Sequence, residues 1–193
     1  MNAAELIVEA IQERHHAGDG AVIVVALDGH SGAGKSTVAT AIAQRVDAAV
    51  VRVDDFYRDL TEADRLALSP AEGVDEYFDW QRLRREALVP LVDRRRAKFS
   101  CFDWVAGSGL SGEATLDPRD ILIVEGVYAA RPEFDDLVDL KVLVEAAEEE
   151  RERRRRERHD PHAWEERWDA AERHYFAEIR SPSAFDLVVA GDT

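Results

Sequence analysis

The stretch that most limits what this chain can fold into is residues 21–45, AVIVVALDGHSGAGKSTVATAIAQR. It begins with seven apolar, largely β-branched residues, the pattern of a strand buried on both faces. Three glycines, Gly29, Gly32 and Gly34, then crowd a short bend, and a helix is expected from about residue 35 to 45. Gly29-His30-Ser31-Gly32-Ala33-Gly34-Lys35-Ser36 satisfies the spacing G-x-x-x-x-G-K-[ST]. Glycines let the backbone curl until successive N–H groups, from Gly29 through Ser36 and on to Thr37, converge on a phosphate chain. The following helix adds its positive N-terminal end. In that pattern Lys35 reaches the β- and γ-phosphates and the Ser36 hydroxyl ligates Mg²⁺. No role is expected for the His30 side chain beyond its backbone N–H.

A chain of 193 residues suits one domain with a sizeable core. Residues 3–17 carry Leu6, Ile7, Ala10 and Ile11 at helical spacing and read as an added N-terminal helix. Further strands are expected at 49–53, 98–105, 120–126, 140–146 and 185–191, with a helix from about 80 to 95. Residues 59–77 read as irregular or partly helical, and 106–114 as a flexible connection. After residue 146, two helices are expected, broken near His159-Asp160-Pro161. Buried apolar strands alternating with helices predict an α/β domain of three layers, a mainly parallel sheet with helices on both faces.

Two acids stand where chemistry would need them. Asp54-Asp55 closes the second strand, and Glu125-Gly126 closes ILIVEG. In a parallel sheet the C-terminal strand ends line the ligand crevice. Asp54 is therefore placed to take a proton from an attacking hydroxyl or to hold Mg²⁺ through water. Glu125 can order the metal shell. The plainer readings are a helix-capping or turn role, for which Asp55 is the better candidate.

The third feature is RERRRRER, residues 151–158, six arginines in eight positions within a chain of net charge −15. Arg151, Arg154, Arg155 and Arg158 share one helical face, suited to a short lid at about 148–165 that closes over a nucleotide and excludes water. The remaining arginines pair with neighbouring glutamates on a solvated face. An RNA-binding helix is the alternative, but no aromatic stacking platform accompanies it and the acidic balance opposes nucleic-acid partners. Three histidines, His159, His162 and His174, show no metal-ligand spacing.

GHSGAGKS, DDFYR, ILIVEG and an arginine-rich segment, in this order, resemble the uridine kinase-like branch of P-loop small-molecule kinases over roughly residues 21–190. The resemblance implies the P-loop three-layer fold and makes Asp54 the general base. It places Tyr57 and Arg58 near the acceptor, and makes Asp79 of Phe78-Asp79 a ligand of sugar hydroxyls. Phe102 and Trp104 fall in the segment that packs aromatic rings around a nucleobase. Phe78, Trp80, Phe102 and Trp104 are equally readable as core. A family histidine that contacts the base has its counterpart near Gly107 here.

The expectation is a single kinase domain over 1–193, using ATP and Mg²⁺ on a small-molecule acceptor, a nucleoside 5′-hydroxyl first. Nicotinamide riboside or another acceptor, and a nucleotide-binding regulator without kinase activity, stand as alternatives. No apolar run approaches the roughly 18–20 residues of a membrane span, and the N-terminus lacks a signal-peptide pattern. The lone Cys101 fits a reducing cytoplasm. The oligomeric state stays open, homo-oligomer included.

Overall fold

The computed structural model describes residues 2–17, 20–158 and 165–191, with the side chains of 15–17 and of Arg158 outside that set. Strands β1 (Ile23–Asp28), β2 (Ala48–Arg52), β5 (Ile121–Glu125), β6 (Leu140–Glu145) and β7 (Leu187–Ala190) form one sheet, while β3 (Ala97–Phe102) and β4 (Leu110–Leu116) form another. The five-stranded sheet runs β2-β5-β1-β6-β7, every pair parallel, with Val25 aligned to Ile123 on one side and Leu140 on the other. The sheet order therefore reverses at β1, and the crevice of such a sheet opens at the C-terminal end of that strand.

Alternate residues of the central strands serve two separate cores. Val25, Leu27, Ile123, Val142 and Val144 pack under α1 (Ala3–Ala17) and α2 (Lys35–Ala43). Val24, Ala26, Leu122, Val124 and Leu143 face the other way, into an aromatic-rich core with Phe56, Tyr77, Phe78, Tyr128 and Tyr175. Burial on both faces explains the unbroken apolar runs. This is the expected three-layer α/β arrangement.

Three stretches depart from expectation. Residues 106–114 are not a mere connection: β4 begins at Leu110 and pairs antiparallel with β3, apart from the parallel sheet. LSGEATL carries little apolar pattern because only Ala114 and Leu116 touch the core, so backbone pairing holds it. Residues 59–77 hold two short helices, α3 (Glu62–Ala67) and α4 (Pro70–Glu76), each opened by a capping box, Thr61 with Asp64 and Ser69 with Glu72. The expected helix at 80–95 is α5 (Trp80–Leu83), a wider π turn (Arg84–Leu88) and α6 (Val89–Val92). Pro90 has no N–H to continue an α ladder, and the Val89 N–H reaches back to the Arg84 carbonyl. The arginine run is α7 (Glu148–Arg158), followed by α8 (Glu165–His174) and a π turn (Tyr175–Ile179); HDPHAW at 159–164 lies outside the described residues. Among the described residues no helix is long and apolar enough to cross a membrane.

Candidate active site

Four segments leave the C-terminal edge of the sheet side by side: the glycine loop after β1, Val53–Phe56 after β2, Gly126 after β5 and α7 after β6. The loop fits by backbone geometry. Gly29 has φ 142°, and a Cβ there would stand 2.2 Å from the Val144 carbonyl oxygen. Gly32 has φ 80°, and its Cβ would stand 2.6 Å from the Arg151 carbonyl oxygen. Only glycine combines that φ with that approach.

Lys35 is buried, and its Nζ donates to the carbonyls of Gly29 at 2.7 Å and His30 at 3.0 Å, so the ammonium spans the loop. The Ser36 hydroxyl donates to Glu125 Oε1 at 2.9 Å, and Arg52 Nε stands 3.7 Å from the same oxygen. Thr37 follows, exposed, in the first turn of α2.

Asp54 and Asp55 both line a cleft of about 370 Å³ whose other walls include Ser31, Lys35, Tyr57, Phe78, Trp104, Glu125, Arg155 and Trp168. Water reaches the Asp54 carboxylate through the cleft mouth, yet protein surrounds it. Desolvation, with the Glu125 charge next, pushes its pKa up to about 6. Desolvation also raises Asp55, whose carboxylate accepts a hydrogen bond from Cys101.

The expected aromatic wall forms only in part from the expected residues. Tyr57 is the hub, with ring centres 5.4 Å from Phe78, 5.2 Å from Phe102 and 5.1 Å from Trp104. Trp104 is 53% exposed, and its indole N–H donates to the Asp54 carbonyl at 3.3 Å. Phe102 is buried behind it and does not line the cleft. Asp79 is absent from the lining as well: its carboxylate caps α5, accepting the Arg82 N–H at 3.0 Å. Arg58 also stands off, 3.2 Å from Glu76.

The arginines divide. Arg153 and Arg156 pair with glutamates of their own helix. Arg154 donates to the Gly32 carbonyl at 3.1 Å and to Glu150, while Arg155 pairs with Asp169 and lines the cleft. Arg151 lines a second cleft of about 690 Å³ on the other flank of the glycine loop, with His30, Ala33, Val144, Phe176 and Val189. The side chain of Arg158 lies outside the described residues.

Sequence reasoning missed two buried acids. Asp28 is wholly buried, accepting N–H groups from Gly29 at 2.7 Å, Tyr128 at 3.0 Å and Ala130 at 2.9 Å, and the Tyr175 hydroxyl at 2.8 Å. It fastens the start of the glycine loop to the turn after β5. A charge ending an apolar strand was its visible signal. Glu172, 1% exposed, accepts from His30 Nδ1 at 3.0 Å, Ser31 N at 3.1 Å and Trp168 Nε1 at 2.5 Å. Burial alone would raise its pKa, but the His30 and Ser31 hydrogen bonds and the Lys35 charge outweigh that and hold it below the usual carboxylate range. The His30 side chain thus has a partner after all, and its ring centre lies 4.4 Å from that of Phe176. Glu172 sits among many glutamates of a polar helix, and nothing in its spacing sets it apart.

A glycine loop at the switch point of a parallel sheet, with Glu125 ending β5 beside it and Asp54 just after β2 one strand further out, defines the P-loop fold. More narrowly, the sequence model of the phosphoribulokinase / uridine kinase family matches residues 24–162, and the chain belongs to that family. It is 28% identical over 142 residues to uridine-cytidine kinase C of Dictyostelium discoideum, covering 72% of this chain and 30% of that protein. It is 29% identical over 140 residues to a uridine kinase of Halobacterium salinarum, covering 69% of this chain and 61% of the relative. The chain thus spans less than two thirds of the length of either curated relative. Among solved structures, one described as a possible uridine kinase from Bacillus stearothermophilus superposes with TM-score 0.73 at 19% identity, covering 96% of each chain, a likeness of fold. Another, assigned provisionally as a fructose transport system kinase from Silicibacter sp. TM1040, has TM-score 0.66 and 27% identity, covering 97% of this chain and 98% of that one.

Proposed function

We propose that the chain is a kinase that transfers the γ-phosphoryl group of ATP to a hydroxyl of a small metabolite, with a ribonucleoside 5′-hydroxyl as the leading acceptor. The observation that carries the reading is the convergence of Lys35, Asp54 and the Tyr57–Trp104 wall in one cleft. A nucleotide-binding switch needs the loop but no aromatic wall facing an acid across from it.

In this reading the second cleft takes the base and ribose of the nucleotide, the phosphates run along Gly29 to Ser36, and the acceptor stands against Tyr57 and Trp104. Residues of about 148–165 serve as the lid of a single catalytic domain. Asp54 takes the proton of the acceptor hydroxyl as that oxygen bonds to the γ-phosphorus. The bond from the γ-phosphorus to the β–γ bridging oxygen breaks, and ADP leaves. Lys35 exchanges the carbonyls of Gly29 and His30 for phosphate oxygens. Arg154 and Arg155, released from their present partners, would neutralise charge spreading onto the transferring group. Positioning and charge stabilisation carry most of the rate.

The Ser36 hydroxyl and the Glu125 carboxylate, with Asp54 nearby, are hard oxygen donors that fit Mg²⁺, and the mutual repulsion of Asp54 and Glu125 favours a cation between them. Magnesium bound there would neutralise phosphate charge. Among the described residues no cluster of three His, Cys, Asp or Glu side chains forms a closed metal cage.

A sugar hydroxyl is the second reading. It is favoured by the 27% identity, over nearly the whole of both chains, to the structure assigned as a fructose transport system kinase. Both readings are tested by acceptor-dependent ADP release with Mg²⁺ and ATP across uridine, cytidine, nicotinamide riboside, pantothenate and fructose. Release with one of them identifies the acceptor. Slow hydrolysis indifferent to all of them overturns the kinase reading in favour of a nucleotide-binding regulator.

A further inference from the structure

Glu172 stands between the two clefts and touches neither. Its Oε2 accepts from His30 Nδ1 at 3.0 Å and Ser31 N at 3.1 Å, and His30 lines the cleft assigned to the nucleoside end of ATP. Its Oε1 accepts from Trp168 Nε1 at 2.5 Å and from the Ser31 hydroxyl, and Trp168 and Ser31 line the cleft assigned to the acceptor. A single carboxylate therefore joins a ring on one side of the glycine loop to a ring on the other. Its backbone is held on α8, which packs closely on α4, where the Gly73 Cα approaches Ala171.

We propose that Glu172 is a positioning residue that couples occupancy of the nucleotide cleft to the setting of Trp168 in the acceptor wall. A ligand pressing on His30 turns or tightens the carboxylate, and the second oxygen carries that change to the Trp168 indole N–H. By linkage, an acceptor seated against Trp168 strengthens nucleotide binding by the same factor that the nucleotide strengthens acceptor binding. Such couplings run to about 5–150-fold in affinity. The amide of Glu172→Gln keeps the shape but offers one acceptor oxygen and an NH₂ that opposes either the indole N–H or the donors of His30 and Ser31. The link then breaks on one side while the helix stays packed.

The inference rests on the assignment of the two clefts, but its test needs no acceptor. The full chain is labelled with 5-fluorotryptophan, and the ¹⁹F resonance that disappears in Trp168→Phe is assigned to Trp168. Saturation with Mg²⁺ and the non-hydrolysable analogue AMP-PNP, checked by calorimetry, is expected to shift that resonance in the unmodified chain. Glu172→Gln is expected to bind AMP-PNP and lose most of the shift. His30→Ala, which cuts only the nucleotide-side contact, is expected to lose it too, and covers the case in which Glu172→Gln fails to fold. A full shift in a folded variant that binds the analogue, or no shift in the unmodified chain at saturation, overturns the coupling. Failure of the kinase reading shows elsewhere, as ADP release indifferent to every acceptor.

Discussion

The glycine loop and the aromatic wall face one another across a single cleft and are built in opposite ways. The loop is eight consecutive residues held by main-chain geometry, with its glycines pressed against the carbonyls of Val144 and Arg151. The wall is four side chains, Tyr57, Phe78, Trp104 and Trp168, brought from three separate segments and α8. Main-chain geometry at these glycines tolerates almost no substitution, which suits the constant ligand of the proposed reaction, the phosphate chain. A wall of side chains can change residue by residue, which suits the acceptor half of the proposed reaction.

Each half can be broken separately. The largest effect is expected from Asp54→Asn, where the two halves meet: acceptor-dependent ADP release falls by about 10²–10⁴-fold, while AMP-PNP affinity by calorimetry is nearly unchanged. Activity that survives refutes Asp54 as base. On the loop side, Gly32→Ala forces a Cβ to 2.6 Å from a carbonyl oxygen at φ 80°. Strain of roughly 1–3 kcal/mol should lower Tm by about 3–10 °C in a melting scan, with nucleotide affinity falling alongside. On the wall side, Trp104→Ala removes a half-exposed ring, so Tm should hold while the acceptor KM rises about 2–12-fold. A matching rise in the nucleotide KM would show that the halves are not separable there.

The smallest effects concern Asp54 and pH. With its pKa pushed up to about 6, the base is protonated on the acid side, so kcat/KM should fall as pH drops through about 6. The same shift sets the sign for stability. The folded chain holds the Asp54 proton more tightly than the unfolded chain, so this group favours folding as pH falls from about 6 towards 4 and opposes it above. Asp54→Asn should therefore melt slightly higher than the parent at pH 8, and that margin should vanish near pH 4.

The same contrast explains what could be read from the chain. Strands β1, β5 and β6 were visible because burial on both faces writes unbroken apolar runs, the edge strand β2 because half-exposed Ala48 and Val50 alternate with buried Ala49 and Val51, and the loop because its chemistry is local. The β3–β4 hairpin was half missed, since β4 is held by pairing rather than by an apolar face. Asp79 and Arg58 lie next to site residues in sequence, yet capping and ion pairing turn them away from the cleft. Glu172 and Trp168 enter from α8, far along the chain from the glycine loop, a placement no local pattern encodes. Asp28 stands immediately before the recognised motif, but its part is defined by the N–H groups of Tyr128 and Ala130, in the distant turn after β5, together with that of its neighbour Gly29.

The strand order also governs how the molecule comes into being. Val24 and Val25 of β1 pair with Leu122 and Ile123 on one side, and Val25 with Leu140 on the other. Until β5 has left the ribosome, β1 has no partner on either edge, and the glycine loop that follows it has no floor. Long-range parallel pairing is slow because loop closure precedes any reward. A nascent chain that ends before β5, with an apolar strand unpaired, is thus expected to be prone to aggregation.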